Sequence, residues 1–101
     1  MSRLDLHEKL CDFLGTNYAY FQPPTGVRLN YPCFVYSRTT VKVKHADGIV
    51  YIHSNAYQVT YIHRDADSDM TARLLENLPY CSFDRSFNTD ELIHDVFIVY
   101  D

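Results

Sequence analysis

Apolar and polar residues alternate along most of this chain, and in two places the alternation gives way to a helical spacing. Leu6, Leu10, Phe13 and Leu14 fall at i, i+4, i+7 and i+8, one face of a helix with 3.6 residues per turn. Ser2 stands where an N-cap belongs and Gly15 where a left-handed stop belongs, while Asp5, Glu8, Lys9 and Asp12 take the outer face. The second stripe is Met70, Leu74 and Leu78, widened by Leu75, and Pro79 forbids its continuation. Asp67 or Ser68 can accept from free N–H groups of its first turn. Asp65, Asp67 and Asp69 put negative charge at the positive end of the helix dipole.

Between and after these stripes lie strands. Pro32 opens one, and Cys33–Lys44 (CFVYSRTTVKVK) is rich in β-branched and aromatic residues. Asp47-Gly48 has the chemistry of a tight turn, and Ile49–His63 returns as the partner. That turn sets Ala46 opposite Ile49, Val43 opposite Ile52 and Val35 opposite Thr60, with a bend or bulge expected at Ser54-Asn55. Near the turn Lys42, Lys44, His45 and His53 make both faces polar, so the hairpin is expected to project from the body. Tyr80–Phe87 and Glu91–Tyr100 form a closing pair around a turn at Asn88-Thr89-Asp90. In the last strand Ile93, Phe97 and Val99 occupy one face with Asp95. Leu92, Val96, Ile98 and Tyr100 occupy the other with His94, so a central position or cover on both sides is expected. Residues 16–30 hold Pro23, Pro24 and Gly26 and read as a long loop, whose Tyr18, Tyr20 and Phe21 must either pack beneath it or meet a partner. The expectation is one α+β domain over residues 1–101: a mainly antiparallel sheet of about four strands, two helices on one face and a projecting β-hairpin.

Composition narrows the function more than the fold. With 47% hydrophobic and 22% charged residues, the 101-residue chain is globular. Nine tyrosines and six phenylalanines suit half-buried sheet faces and subunit contacts. The formal charge is −4, and the nearest thing to a basic cluster, Arg38, Lys42 and Lys44, is followed by Asp47. Grouped cations that would neutralise phosphates are missing, which argues against binding nucleic acid. Cys11, Cys33 and Cys81 form an odd set without close spacing, no apolar leader opens the chain, and no run approaches a membrane span. Reduced cysteines in a protein made in the cytoplasm, with no membrane contact, are expected.

Candidate chemistry is thin. Asp65-x-Asp67-x-Asp69 with Glu76 imitates a calcium loop, but the sixth position is Met70 where glycine is needed, and the helical stripe begins there. His45, His53, His63 and His94 lack metal-ligand spacing. Cys33 or Cys81 could meet His63 or His94 across strands, yet both cysteines lie in apolar contexts that raise a thiol pKa. Ser82-Phe83-Asp84 carries no hydrolase signature, and three glycines build no phosphate cradle. No enzyme, metal or cofactor is expected.

The order of these parts, from the proline-led strand through YQVTYIHRDADSD (Tyr57–Asp69) to YCSFDRSF and LIHDVFIVYD, resembles the tail terminators of long-tailed phages. The resemblance is best over Tyr31–Asp101. It implies a mixed sheet with helices on one face and a hexameric ring that caps the tail tube, ends its growth and receives the head. The implied partners are further copies of the chain, the major tail tube protein and the head-completion or connector protein, with DNA passing through the lumen unbound. The implied location is the head–tail junction of the virion. The exposure pattern offers three surfaces for these contacts: Tyr18, Tyr20 and Phe21; Lys42, Lys44, His45, Asp47, Val50 and Tyr51; and Arg85, Asn88 and Asp90. Other phage neck proteins, stopper or adaptor, and a small non-viral protein-binding domain are the alternatives.

Overall fold

A computed structural model describes residues 2–44, 51–78 and 80–100, with the side chains of 40–44 and 51–55 excluded. The elements in chain order are α1 (Arg3–Leu14), β1 (Ala19–Phe21), β2 (Cys33–Lys44), β3 (Tyr51–His63), α2 (Met70–Asn77), β4 (Cys81–Thr89) and β5 (Leu92–Tyr100). The strands form one sheet in the order β1-β2-β3-β5-β4. All pairings are antiparallel except β1 with β2, which is parallel. The fold is thus α+β, with five strands rather than four. The extra strand is Ala19–Phe21, inside the segment expected to be irregular, where the aromatic residues pair alongside Phe34–Tyr36 before the prolines end regular pairing.

α1 starts and stops as its ends dictate. Ser2 Oγ accepts from Asp5 N–H while Asp5 Oδ2 accepts from Ser2 N–H, and Gly15 at φ 72° returns its N–H to the Cys11 carbonyl. The aspartates before α2 act differently from the expectation. Asp65 Oδ1 accepts from Asp67 N–H and builds the turn into the helix, and Asp69 makes no side-chain cap, whereas Ser68 Oγ accepts from the N–H of Met70, the first helical residue, as expected of Asp67 or Ser68. Leu75, expected to widen the apolar stripe, is instead 42% exposed.

Both helices cover one sheet face. Leu6, Leu10, Met70, Leu74 and Leu78 pack on Phe34 and Tyr36 of β2, Tyr57, Val59 and Tyr61 of β3, and Phe97 and Val99 of β5. Each such leucine contributes about 1.5–3 kcal/mol by leaving water. The opposite face carries a smaller cluster of Cys33, Ile62 and Leu92, roofed by Tyr18, Tyr20 and Leu29. β5 lies between β3 and β4, and both its faces pack: Phe97 and Val99 under the helices, Leu92 in the smaller cluster opposite.

The β2–β3 register sets Val35 opposite Thr60 and Val43 opposite Ile52. The Ala46–Ile49 pair and the Asp47-Gly48 turn lie outside the described residues. Ser54 and Asn55 produce no bulge, since Val41↔Ser54 and Thr40↔Asn55 continue the register of their neighbours. The irregularity sits instead in the edge strand β4, between Phe83 and Arg85. It changes which faces β4 presents: Phe83 meets Phe97 on the helix side, while Phe87 stacks on His94 on the other side. The closing turn is Asp90-Glu91, both at positive φ, so it shares only Asp90 with the Asn88-Thr89-Asp90 turn expected, and Asn88 and Thr89 stay in β4. Paired positive φ values are what a two-residue hairpin turn requires.

Beyond Ala56↔Tyr100, where β5 ends, the β2–β3 ladder continues for five further rungs to Lys44↔Tyr51. The Cα radius of gyration, 14.5 Å, accordingly exceeds the roughly 13 Å of an average 100-residue domain. Among the described residues no helix is long and apolar enough to cross a membrane.

Candidate functional site

The helix-covered core ends in a polar corner at the C-terminal end of β3. Tyr61 and His63 point to the same face and stack at 4.4 Å, and His63 is a buried polar side chain, 3% exposed. His63 Nε2 lies 2.7 Å from Asp95 Oδ2, and Ser86 Oγ donates to Asp95 Oδ1 at 2.7 Å. On the other side of the ring, Asp65 N–H donates to His63 Nδ1 at 3.1 Å. A nitrogen that accepts from a backbone amide carries no proton, so the proton resides on Nε2 and is donated to Asp95. The β4 bulge makes this corner possible: without the shift at Asp84, Ser86 would face away from Asp95.

A cavity of about 360 Å³ opens beside the network, lined by Asp65, Ser68, Thr71, Asn88 and Ile93 as well as His63 and Asp95. A second, of about 490 Å³, lies beyond the histidine among Tyr31, Pro32, Tyr61 and Arg64, with the Arg64 guanidinium 5.5 Å from the Tyr31 ring centre. The arrangement contains serine, histidine and aspartate in the wrong order for nucleophilic catalysis. The carboxylate stands between the hydroxyl and the imidazole, and both imidazole nitrogens are engaged elsewhere, so neither can take the Ser86 proton. What the network does is tie β3, β4, β5 and the entry to α2 together.

The cysteines are equally remote from chemistry. Burial alone pushes the Cys33 and Cys81 thiols up to about 11, and it raises Cys11 with help from Asp12. Thiols held protonated are poor nucleophiles. Among the described residues no group of three or more His, Cys, Asp or Glu side chains is placed to share a metal ion.

No family model, curated protein or solved structure matches this chain.

The residues singled out for contact fall in three separate places. Tyr18, Tyr20 and Phe21 are half-buried at the β1 edge. The Tyr20 hydroxyl accepts from Asn30 N–H, and Phe21 lies 5.1 Å from Tyr36 with the Arg3 guanidinium 4.8 Å over its ring. Most of their surface is therefore used within the chain. Lys42, Lys44 and Tyr51 belong to the rungs beyond β5, while His45, Asp47 and Val50 lie outside the described residues. Arg85, Asn88 and Asp90 are exposed on β4 and its turn, at the opposite edge from β1. Arg85 pairs with Asp84 and lies 6.0 Å from the Phe87 ring centre.

Two features escaped the sequence. The Ser86–Asp95–His63 network depends on the bulge, and no residue type at Asp84 announces one. The exposure of β4 was also hidden, because Phe83 and Phe87 look like an inward-facing pair yet are 44% and 42% exposed on opposite faces.

Proposed function

We propose that this chain is a structural subunit of a phage tail terminator, a ring at the head–tail junction that ends tail-tube growth and receives the head. The observation that carries this is the sheet face opposite the helices. Val35, Ile98 and Tyr100 are half-buried there beside buried Val96, and the loop around Leu29 roofs only the end near Cys33. A sheet face on which Val35, Ile98 and Tyr100 keep part of their apolar surface in water, among the described residues, suits a protein completed by contacts with others. The mixed sheet with both helices on one face is the architecture the resemblance implies, and the β2–β3 rungs beyond β5 provide an extension that could reach a neighbouring ring. A net charge of −4 suits a lumen through which DNA slides without being held.

The deciding experiment is genetic. A phage encoding this chain should, when the gene is deleted, give tails of irregular, excessive length and free heads in negative-stain images. Tails of normal length joined to heads would refute the proposal. Light scattering on the purified chain gives the complementary measurement, with a hexameric mass expected.

A further inference from the structure

The sheet has two open edges that differ in kind. At one side β1 covers only the start of β2. Phe34 N–H donates to the Tyr18 carbonyl, Gln22 N–H donates to the Tyr36 carbonyl, and the Gln22 side-chain oxygen accepts from Arg38 N–H. Past that point the alternation of a strand turns the N–H and C=O of Thr40, Lys42 and Lys44 toward the same side, where β1 no longer runs. At the other side β4 has β5 on one flank and, among the described residues, no strand on the other. Tyr100 N–H donates to the Tyr80 carbonyl, so Cys81 and Phe83 turn their backbone groups outward. Open edges are normally blunted, and an exposed edge bearing large apolar side chains invites a further strand.

We infer that the β4 edge of one subunit pairs with the β2 edge of the next, over Thr39–Lys44, extending the sheet from subunit to subunit. The occupant of each edge is a second copy of this chain. The charges are complementary: the β2 edge carries Arg38, Lys42 and Lys44 and no acid, whereas β4 and its turn carry Asp84, Asp90 and Glu91 against one arginine. The lengths fit as well, since the open β2 stretch spans roughly 20 Å at about 3.3 Å per residue and β4 offers nine residues. Phe83 and Phe87, half in water on opposite faces of β4, would both be flanked by the incoming strand. Because the two edges are different surfaces on opposite sides of the sheet, the contact is head-to-tail and propagates until it closes into a ring. This rests on the ring proposed above and specifies its subunit contact.

A charge exchange tests it. Lys42→Glu/Lys44→Glu makes both edges acidic, and Asp84→Lys/Thr89→Lys makes both basic. Each variant alone is expected to associate at least about a hundredfold more weakly than the unaltered chain, because like charges then face each other. Mixed in equal amounts they should recover the unaltered mass by light scattering, since every contact again joins opposite charges. That recovery also demonstrates that both variants fold. Unaltered chain that stays monomeric at every concentration, variants that assemble normally, or a mixture that stays monomeric would overturn the inference. A second measurement does not depend on charge: Thr40→Cys and Thr89→Cys chains are mixed with a bismaleimide and the joined peptides identified by mass. Links between positions 40 and 89 of different chains are expected, and links only between two copies of position 89 would indicate a two-fold β4 dimer and refute it. The outcomes separate from the genetic test, for a ring that survives the charge exchange loses this contact but keeps the tail role. A confirmed contact in a phage whose tails ignore the deletion does the reverse.

Discussion

Replacing Asp95 separates a neutral hydrogen-bond network from an ion pair. Its carboxylate is 13% exposed and receives two hydrogen bonds of 2.7 Å, from His63 Nε2 and Ser86 Oγ. In Asp95→Ala, Ser86 can turn to water, but the nearly buried His63 N–H loses its acceptor, a loss of about 1–3 kcal/mol. In Asp95→Asn the side-chain oxygen can still accept from His63 while the amide donates to the Ser86 hydroxyl, leaving a loss of about 1 kcal/mol from the missing charge. With about 4–8 °C per kcal/mol for a domain of this size, alanine lowers the melting temperature by about 10 °C and asparagine by about 5 °C. Urea unfolding followed by circular dichroism gives both free energies, and an unchanged slope would show that only stability moved. If asparagine costs as much as alanine, the carboxylate charge itself is indispensable and His63 is a cation. The tautomer deduced from Asp65 N–H would then be wrong.

Three further outcomes follow from the structure. Gly15→Ala forces a side chain into φ 72° and should destabilise by about 1–2 kcal/mol in urea unfolding, although the space around Gly15 is open. Cys33 and Cys81, raised from 9.0 to about 11 on folding, contribute stability that is fully present below pH 9 and is lost as pH rises from 9 toward 11. The urea midpoint should fall across that window, and Cys33→Ala should flatten the fall; a midpoint independent of pH there would contradict the burial of both thiols. Phe87→Thr removes a ring that is already 42% exposed, so melting should drop by only a few degrees while self-association weakens about tenfold or more, measured by light scattering.

Local signals made the helices and the two hairpin pairings, β2 with β3 and β4 with β5, legible. Ser2, Gly15 and the leucine spacings depend on neighbouring residues alone, and the hairpin register at Val35–Thr60 and Val43–Ile52 follows from counting outward from one turn. What remained hidden depends on distant contacts. Ala19–Phe21 pairs as a strand with Phe34–Tyr36, and Leu75 stays exposed while Met70, Leu74 and Leu78 enter the core. Of the candidate contact residues, exposure of Arg85, Asn88 and Asp90 could be anticipated from their polarity, but the packing of Tyr18, Tyr20 and Phe21 could not. Asp95 was visible as a polar interruption of an apolar strand, and His63 only as a histidine considered for metal or cysteine chemistry. Their meeting required β5 to lie beside β3 and the bulge to bring Ser86 round.

The position of β5 also constrains the order in which the molecule can be made. It is the last of these strands to leave the ribosome, yet it occupies a place between β3 and β4. The β2–β3 hairpin can form early, but one flank of β3 stays bare and β4 has no strand to join until β5 arrives. During synthesis the nascent chain therefore carries the apolar backs of Tyr57, Val59 and Tyr61 without their final neighbour. Pausing translation before Leu92 should yield a protease-sensitive, aggregation-prone product, and release of the remaining residues should convert it to the resistant fold in a single cooperative step.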